Sequence, residues 1–224
     1  MTPSAVCFDL DDTLLSYNQN PGEALDAAHR AAGVGRFCSD EELWAGANDV
    51  GHAESDREFL TRLFRLAAER HGGPTESAGT LARTYEEAID HTDVSFRPGA
   101  ERALDIAREH GPVGLITNGS RETQELKLDA LDIADAFDTR VYAGEETPPK
   151  PATDPFEKAT LELDARPTET LYVGNSLEHD VAGAKRAGWR VAWFPGERDR
   201  GATPEEHAPD HRFDNLAELG PLLH

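Results

Sequence analysis

Past residue 97 the chain settles into one rhythm, a short apolar run and then a helical stretch, and few folds accommodate it. Arg97-Pro98-Gly99 leads into a predicted helix over residues 100–109, which stops near Gly111-Pro112. Strands follow at 113–117, 139–143, 171–173 and 190–194, with helices between them at 121–131, 154–163 and 180–187. Asp154 is the expected N-cap of its helix, with Pro155 at the first helical position. A short strand near Arg212-Phe213 and a helix from Asn215 end the pattern. The apolar runs are continuous, as in strands covered on both faces, and their alternation with helices requires a parallel sheet between helical layers. The expected class is therefore α/β, a three-layer core around a central parallel sheet.

One more apolar run, Ala5-Val6-Cys7-Phe8, supplies a first buried strand. From Pro21 to Thr92 the pattern is different. Helical stretches at 23–32, 40–49, 56–70 and 76–91 are punctuated by Gly33-Val34-Gly35 and Gly72-Gly73-Pro74, and no strand pattern interrupts them. Phe59, Leu63, Leu66 and Arg70 mark one stripe of the third stretch. Because this block lies between the first strand and the rest, it is an insertion: residues 16–95 form an all-helical unit within a core made of 1–15 and 96–224. A chain of 224 residues can build both without disulfide or metal staples.

The chemistry-bearing residues sit just after predicted strands, where open α/β sheets bind ligands. Asp9 and Asp11 follow the first strand. One carboxylate can attack an electrophile while the other moves protons, and together they offer hard oxygens to Mg²⁺; alternatively they are a loop cluster capping a helix. Thr117-Asn118-Gly119-Ser120 follows the second. It offers a hydroxyl, an amide and backbone N–H groups to an anion, or merely an N-cap to the next helix. Lys150 lies in Pro148-Pro149-Lys150-Pro151, a stiffened loop, where its ammonium either neutralises a reacting anion or is solvated. Asn175 and Asp180 follow the strand at 171–173. They complete a cation site, or Asp180 caps the following helix.

Other sites are disfavoured. No GxGxxG or GxxxxGK[ST] occurs, and the histidines form no HExxH; His207 and His211 are four apart but separated by Pro209. Cys7 is expected in the core, and two cysteines make no disulfide framework. Trp44, Asn48 and His52, spaced by four on one predicted helix, either line a closed site or form a half-buried face.

Taken in order, the four clusters resemble the haloacid dehalogenase (HAD) superfamily of phosphohydrolases. DLDDTL is similar to its first motif, LITNGS to its second, Lys150-Pro151 with Phe156 to its third, and VGNSLEHDVAGAKRAG to its fourth; FDNLAEL matches the usual ending. The resemblance covers roughly residues 4–15 and 96–220 and implies a Rossmann-like core, with 16–95 in the place of a C1-type cap. It further implies an aspartyl-phosphate mechanism. Asp9 would be the nucleophile, Asp11 the proton donor and then acceptor, Thr117 and the Asn118 backbone the phosphate ligands, and Lys150 the charge stabiliser. Mg²⁺ would be held by Asp9, the Asp11 carbonyl, Asn175 and Asp180. The sequence departs from the family at Asn175, where an Asp is usual, so one negative charge is missing from the ion's surroundings.

The resulting expectation is a Mg²⁺-dependent phosphatase of a small phosphorylated metabolite, cytoplasmic, monomeric or homodimeric. The alternatives are a metal-independent 2-haloacid dehalogenase, which the Asn favours and Asp11 opposes, and a catalytically weak binding protein of the same fold. Net charge supports part of this. With 43 acidic against 22 basic residues the chain carries −21, which repels nucleic-acid backbones and anionic membranes. No run of 18 apolar residues and no signal-peptide pattern occurs. Only four basic residues are lysines, and acidic excess with scarce lysine is the composition of a surface kept hydrated in molar salt or of a genome that favours arginine.

Overall fold

The computed structural model describes residues 2–51, 53, 55–196 and 208–223. These divide into two compact units, one of Met1–Ser16 with Val94–His224 and one of Tyr17–Asp93. In chain order, β1 (Ala5–Phe8) opens the first unit, and β2 (Leu15–Tyr17) leads to the helices α1 (Pro21–Ala32), α2 (Asp40–Trp44), α3 (Asp56–His71) and α4 (Ala78–Ala88). β3 (Val94–Phe96) pairs with β2 in a two-stranded ribbon that the sequence pattern did not reveal; three-residue strands carry too little periodicity. There follow α5 (Ala100–His110), β4 (Val113–Thr117), α6 (Arg121–Ala130), β5 (Thr139–Tyr142), α7 (Asp154–Glu162), β6 (Thr170–Gly174), α8 (Ala182–Arg186), β7 (Arg190–Trp193) and β8 (His211–Arg212).

Among the described residues the core sheet has six parallel strands in the order β5-β4-β1-β6-β7-β8. β1 is flanked by β4 on one side and β6 on the other, with Val6 opposite both Val113 and Leu171. The connection reverses direction across β1, and this switch point opens a crevice at the carboxyl ends of β4, β1 and β6. All four residues of β1 are buried, as are all five of β4 and β6. Cys7, Ile116, Val141, Tyr172, Val191 and Trp193 share a cluster with Phe156 and Ala159 of α7 and Ala184 of α8. The ring of Phe156 meets Tyr172 and Trp189 edge-on, at 5.1 and 5.5 Å.

The helical unit has its own core of Leu25, Leu43, Leu63, Phe64, Leu81 and Tyr85. On α3 the buried stripe is Leu60, Leu63, Phe64, Ala67 and Ala68. This differs from the expected stripe, because Phe59 and Leu66 flank the buried face and Arg70 is exposed. The predicted helix at 40–49 is shorter, since Gly46 separates α2 from a 3₁₀ turn at Ala47–Asp49. Trp44 stacks on Phe59 inside this unit. The side chain of Asn48 and all of His52 and His207 lie outside the described residues.

Two capping expectations change. Thr153 is the N-cap position of α7, and Asp154 is its first residue, where its charge complements the helix N-terminus. The helix expected at 180–187 begins earlier, as a π-helical turn over Leu177–Val181 that runs into α8. Its cap is Ser176, whose hydroxyl accepts the His179 N–H at 3.1 Å. Asp180 therefore lies inside the turn and is buried instead of capping it. The last segment, Leu216–Leu222, is 3₁₀, with Pro221 within it and Asn215 and Glu218 forming a capping box at its start.

Candidate active site

The loop after β1 fixes the first two carboxylates. The N–H groups of Thr13, Leu14 and Leu15 all turn back to the Leu10 carbonyl, and Asp12 takes a left-handed φ of 56°, a conformation that Asp tolerates better than most residues. Asp9 is buried at the strand end. Its Oδ1 accepts the Lys150 ammonium at 2.8 Å and its Oδ2 the Thr13 hydroxyl at 2.9 Å. Asp11, two residues on, has a side chain 41 % exposed. Its oxygens are held by different donors, Lys127 Nζ and Gln124 Nε2, each at 2.7 Å.

Lys150 is buried despite its loop position. The Asn118 side chain grips that loop reciprocally, its amide oxygen accepting the Lys150 N–H at 2.8 Å and its amide nitrogen donating to the Lys150 carbonyl at 3.0 Å. The ammonium lies 2.7 Å from Asp180 Oδ1, 2.9 Å from the Tyr172 hydroxyl and 3.0 Å from the Ile116 carbonyl, besides Asp9. A lone buried ammonium would cost several kcal/mol, and these acceptors offset that cost. Burial works against the charge of Lys150, but Asp180 and Asp9 outweigh it and raise its affinity for its proton. Burial pushes Asp9 up to about 7; Lys150 pulls it down, while Asp180 and Asp11 repel its charge. Tyr172 is held well above the usual phenol range by burial and by the Asp180 and Asp9 charges, so it stays a neutral donor.

Thr117, at the end of β4, accepts from the Gln124 amide at 2.6 Å and from the Gly119 N–H at 3.3 Å. With its oxygen accepting twice, its own proton is the bond it has to give. Ser120, and not Asn118, caps α6 by accepting the Thr123 N–H at 3.4 Å. On β6 the chain must be Gly at 174, because a Cβ there would sit 2.5 Å from Asp180 Cγ. The second oxygen of Asp180 accepts the Ser176 N–H at 2.9 Å.

Asn175 is anchored by its carbonyl, which accepts the Trp193 indole N–H at 2.7 Å. Its side-chain amide faces three oxygens and so presents its nitrogen to them: Asp9 Oδ2 at 3.1 Å, the Asp11 carbonyl at 3.2 Å and Thr13 Oγ at 3.2 Å. Among the described residues no three Asp, Glu, His or Cys side chains converge as a metal cluster. The donor set is instead mixed: two hard oxygens, from Asp9 and the Asp11 carbonyl, aim at one point, and a turn of the Asn175 amide adds a third. Such a set fits Mg²⁺, at a lower negative charge than a second carboxylate would give.

Sequence reasoning singled out Asp9, Asp11, Thr117, Asn118, Lys150, Asn175 and Asp180, and their contacts form one continuous network. Asp180 joins it through Lys150, Tyr172 and the Ser176 N–H. Thr13, Gln124, Lys127 and Tyr172 were missed. Only the Thr in DLDDTL, four residues from Asp9, carried a usable signal.

Known proteins share this architecture. A sequence profile of the haloacid dehalogenase-like hydrolases matches residues 3–188. The chain is 33 % identical to a ribulose-1,5-bisphosphate 5-phosphatase of Halopiger xanaduensis, an alignment covering 98 % of this chain and 99 % of that one. It is 30 % identical to a phosphoserine phosphatase of Thermus thermophilus, over 95 % and 96 % of the two chains. A crystal structure of the HAD hydrolase YfnB from Bacillus subtilis, bound to magnesium, superposes with a TM-score of 0.73 at 20 % identity, over 100 % and 99 % of the two chains. The chain belongs to the haloacid dehalogenase-like hydrolases.

Proposed function

We propose that this hydrolase is a Mg²⁺-dependent phosphatase of small phosphomonoesters that works through an aspartyl-phosphate on Asp9. The supporting observation is the contrast between two aspartates from one strand end. Asp9 is buried with one oxygen on Lys150, and Asp11 is half-exposed on separate donors. Carboxylates in unlike surroundings take unlike roles. Asp9 Oδ attacks phosphorus as the ester P–O bond breaks, and Asp11 gives its proton to the departing alkoxide. Water then attacks the acyl phosphate and passes a proton to Asp11, the P–O bond to Asp9 breaks, and orthophosphate leaves. Thr117 and the Asn118 backbone N–H hold the phosphoryl oxygens, while Lys150 balances charge and orients Asp9. Asp9, the Asp11 carbonyl and Asn175 would hold Mg²⁺, with Asp180 adding its charge; when bound, the ion neutralises phosphoryl oxygens and aligns the nucleophile.

Both full-length relatives are named for removing phosphate from small phosphorylated molecules, which supports that substrate class here. We assign the helical unit of residues 17–93 the role of a C1-type cap that selects the substrate. No described helix is long and apolar enough to cross a membrane, and we assign the enzyme to the cytoplasm, where such metabolites reside. A 2-haloacid dehalogenase needs no proton for a halide leaving group, so a second acid at Asp11, two residues from the nucleophile, argues against that chemistry.

The test is p-nitrophenyl phosphate hydrolysis with Mg²⁺ or with EDTA, at low and at molar KCl. We expect turnover that requires Mg²⁺ and falls by at least about 10³-fold in Asp9→Asn, with the melting temperature retained. Activity surviving in the variant would remove Asp9 as nucleophile. Halide release from a 2-haloacid in EDTA would replace the phosphatase reading altogether.

A further inference from the structure

Helix α6 turns an unusual face inward. Its buried residues are Gln124, Lys127 and Leu128, at i, i+3 and i+4. Two of the three are polar, and one is among only four lysines in the chain. A leucine or methionine would fill the position of Lys127 without the cost of burying an ammonium. The polar groups meet at Asp11. Lys127 Nζ lies 2.7 Å from Asp11 Oδ1 and Gln124 Nε2 lies 2.7 Å from Asp11 Oδ2, so both oxygens are gripped and the carboxylate is held against rotation. The same Gln124 nitrogen is 2.6 Å from Thr117 Oγ. Gly119 leaves room for this bridge, since a Cβ there would collide with the Gln124 amide. The Gln124 amide oxygen is itself buried with no protein partner, which marks the side chain as placed for its nitrogen and not for its own satisfaction.

We propose that Lys127 and Gln124 are positioning residues for proton transfer: they fix the direction of the Asp11 carboxylate relative to the hydroxyl of Thr117. This rests on the assignment of Asp11 as proton donor. Both residues are buried behind Asp11, and we assign them no direct contact with the phosphoryl group. Through Asp11 they act on the step in which a proton must reach the leaving oxygen along a set line, whereas the Gln124 bond to Thr117 also bears on the phosphate ligand.

The experiment compares kcat/KM for phenyl phosphate and 2,4-dinitrophenyl phosphate, two esters of similar shape. The ratio kcat/KM reports the first chemical step, whatever the fate of the acyl phosphate. Phenolate is a poor leaving group and needs the proton; dinitrophenolate does not. In Lys127→Met, kcat/KM should fall about 30-fold for phenyl phosphate and less than about threefold for dinitrophenyl phosphate, within the usual range of general-acid effects. Lys127→Arg should recover most of the phenyl phosphate loss, and Gln124→Met should show a smaller split of the same sign. Equal losses on both esters, in a variant that melts like the parent, would reduce the pair to a structural contact. Should Lys127→Met fail to fold, the Gln124→Met split decides. Asp11→Asn separates the two readings. If it shows the split and the positioning variants do not, this inference alone fails; if it shows none, the proton-donor assignment fails and takes this inference with it.

Discussion

Asn175 places an uncharged amide where three oxygens converge, and its nitrogen does for them in part what a cation would do. Its replacement should expose how much. In Asn175→Asp, calorimetric titration with Mg²⁺ should give a Kd at least about tenfold lower, because a carboxylate adds charge and a second hard oxygen. An unchanged Kd would place residue 175 outside the ion's coordination. The residues legible from sequence here were those whose type is rare in its setting: acids directly after a buried strand, a lysine between prolines. Lys127 and Gln124 were not legible, because on a helix they look like any solvated face, and only the fold brings Asp11 above them. Tyr172 was hidden for the opposite reason. Within an apolar strand it reads as core, and nothing local tells that its hydroxyl serves Lys150 and Asp180.

At the level of elements, burial corrects periodicity by about one residue. On α3, Leu63 is fully buried whereas Leu66 is only partly covered. Leu63→Ala should therefore lower stability by about 2–5 kcal/mol, and Leu66→Ala by about 1 kcal/mol or less. Comparable denaturation midpoints for the two would return both leucines to one stripe. The long strands and helices were legible because continuous apolar runs and Gly-Pro breaks are strong local signals. The π-helical turn was not. An extra residue in a turn leaves no periodic trace, and its purpose, tucking Asp180 beneath Lys150, depends on strands far away in sequence. The ribbon of β2 and β3 was hidden by its brevity.

Over the whole molecule the net charge of −21 leaves an excess of acidic groups that repel one another. Shortening the Debye length from about 10 Å to about 3 Å should relieve that repulsion, so the melting temperature should rise between roughly 0.1 and 1 M KCl. A flat or falling profile would mean that the acidic surplus is compositional and not an adaptation to salt. The sheet order was only partly legible: alternation implied parallel strands, but the position of β1 between β4 and β6 is a matter of tertiary pairing. That position has a consequence for how the chain is made. Among the strands of the sheet the one carrying Asp9 is synthesised first, yet its two neighbours begin only at Val113 and Thr170, so the later of them arrives after the whole helical unit, β4 and β5 have been made. No nascent fragment short of that point can bring Asn175 or Asp180 to Asp9, so a ribosome stalled anywhere before it holds a polypeptide in which the carboxyl ends of β1 and β6 have not yet met.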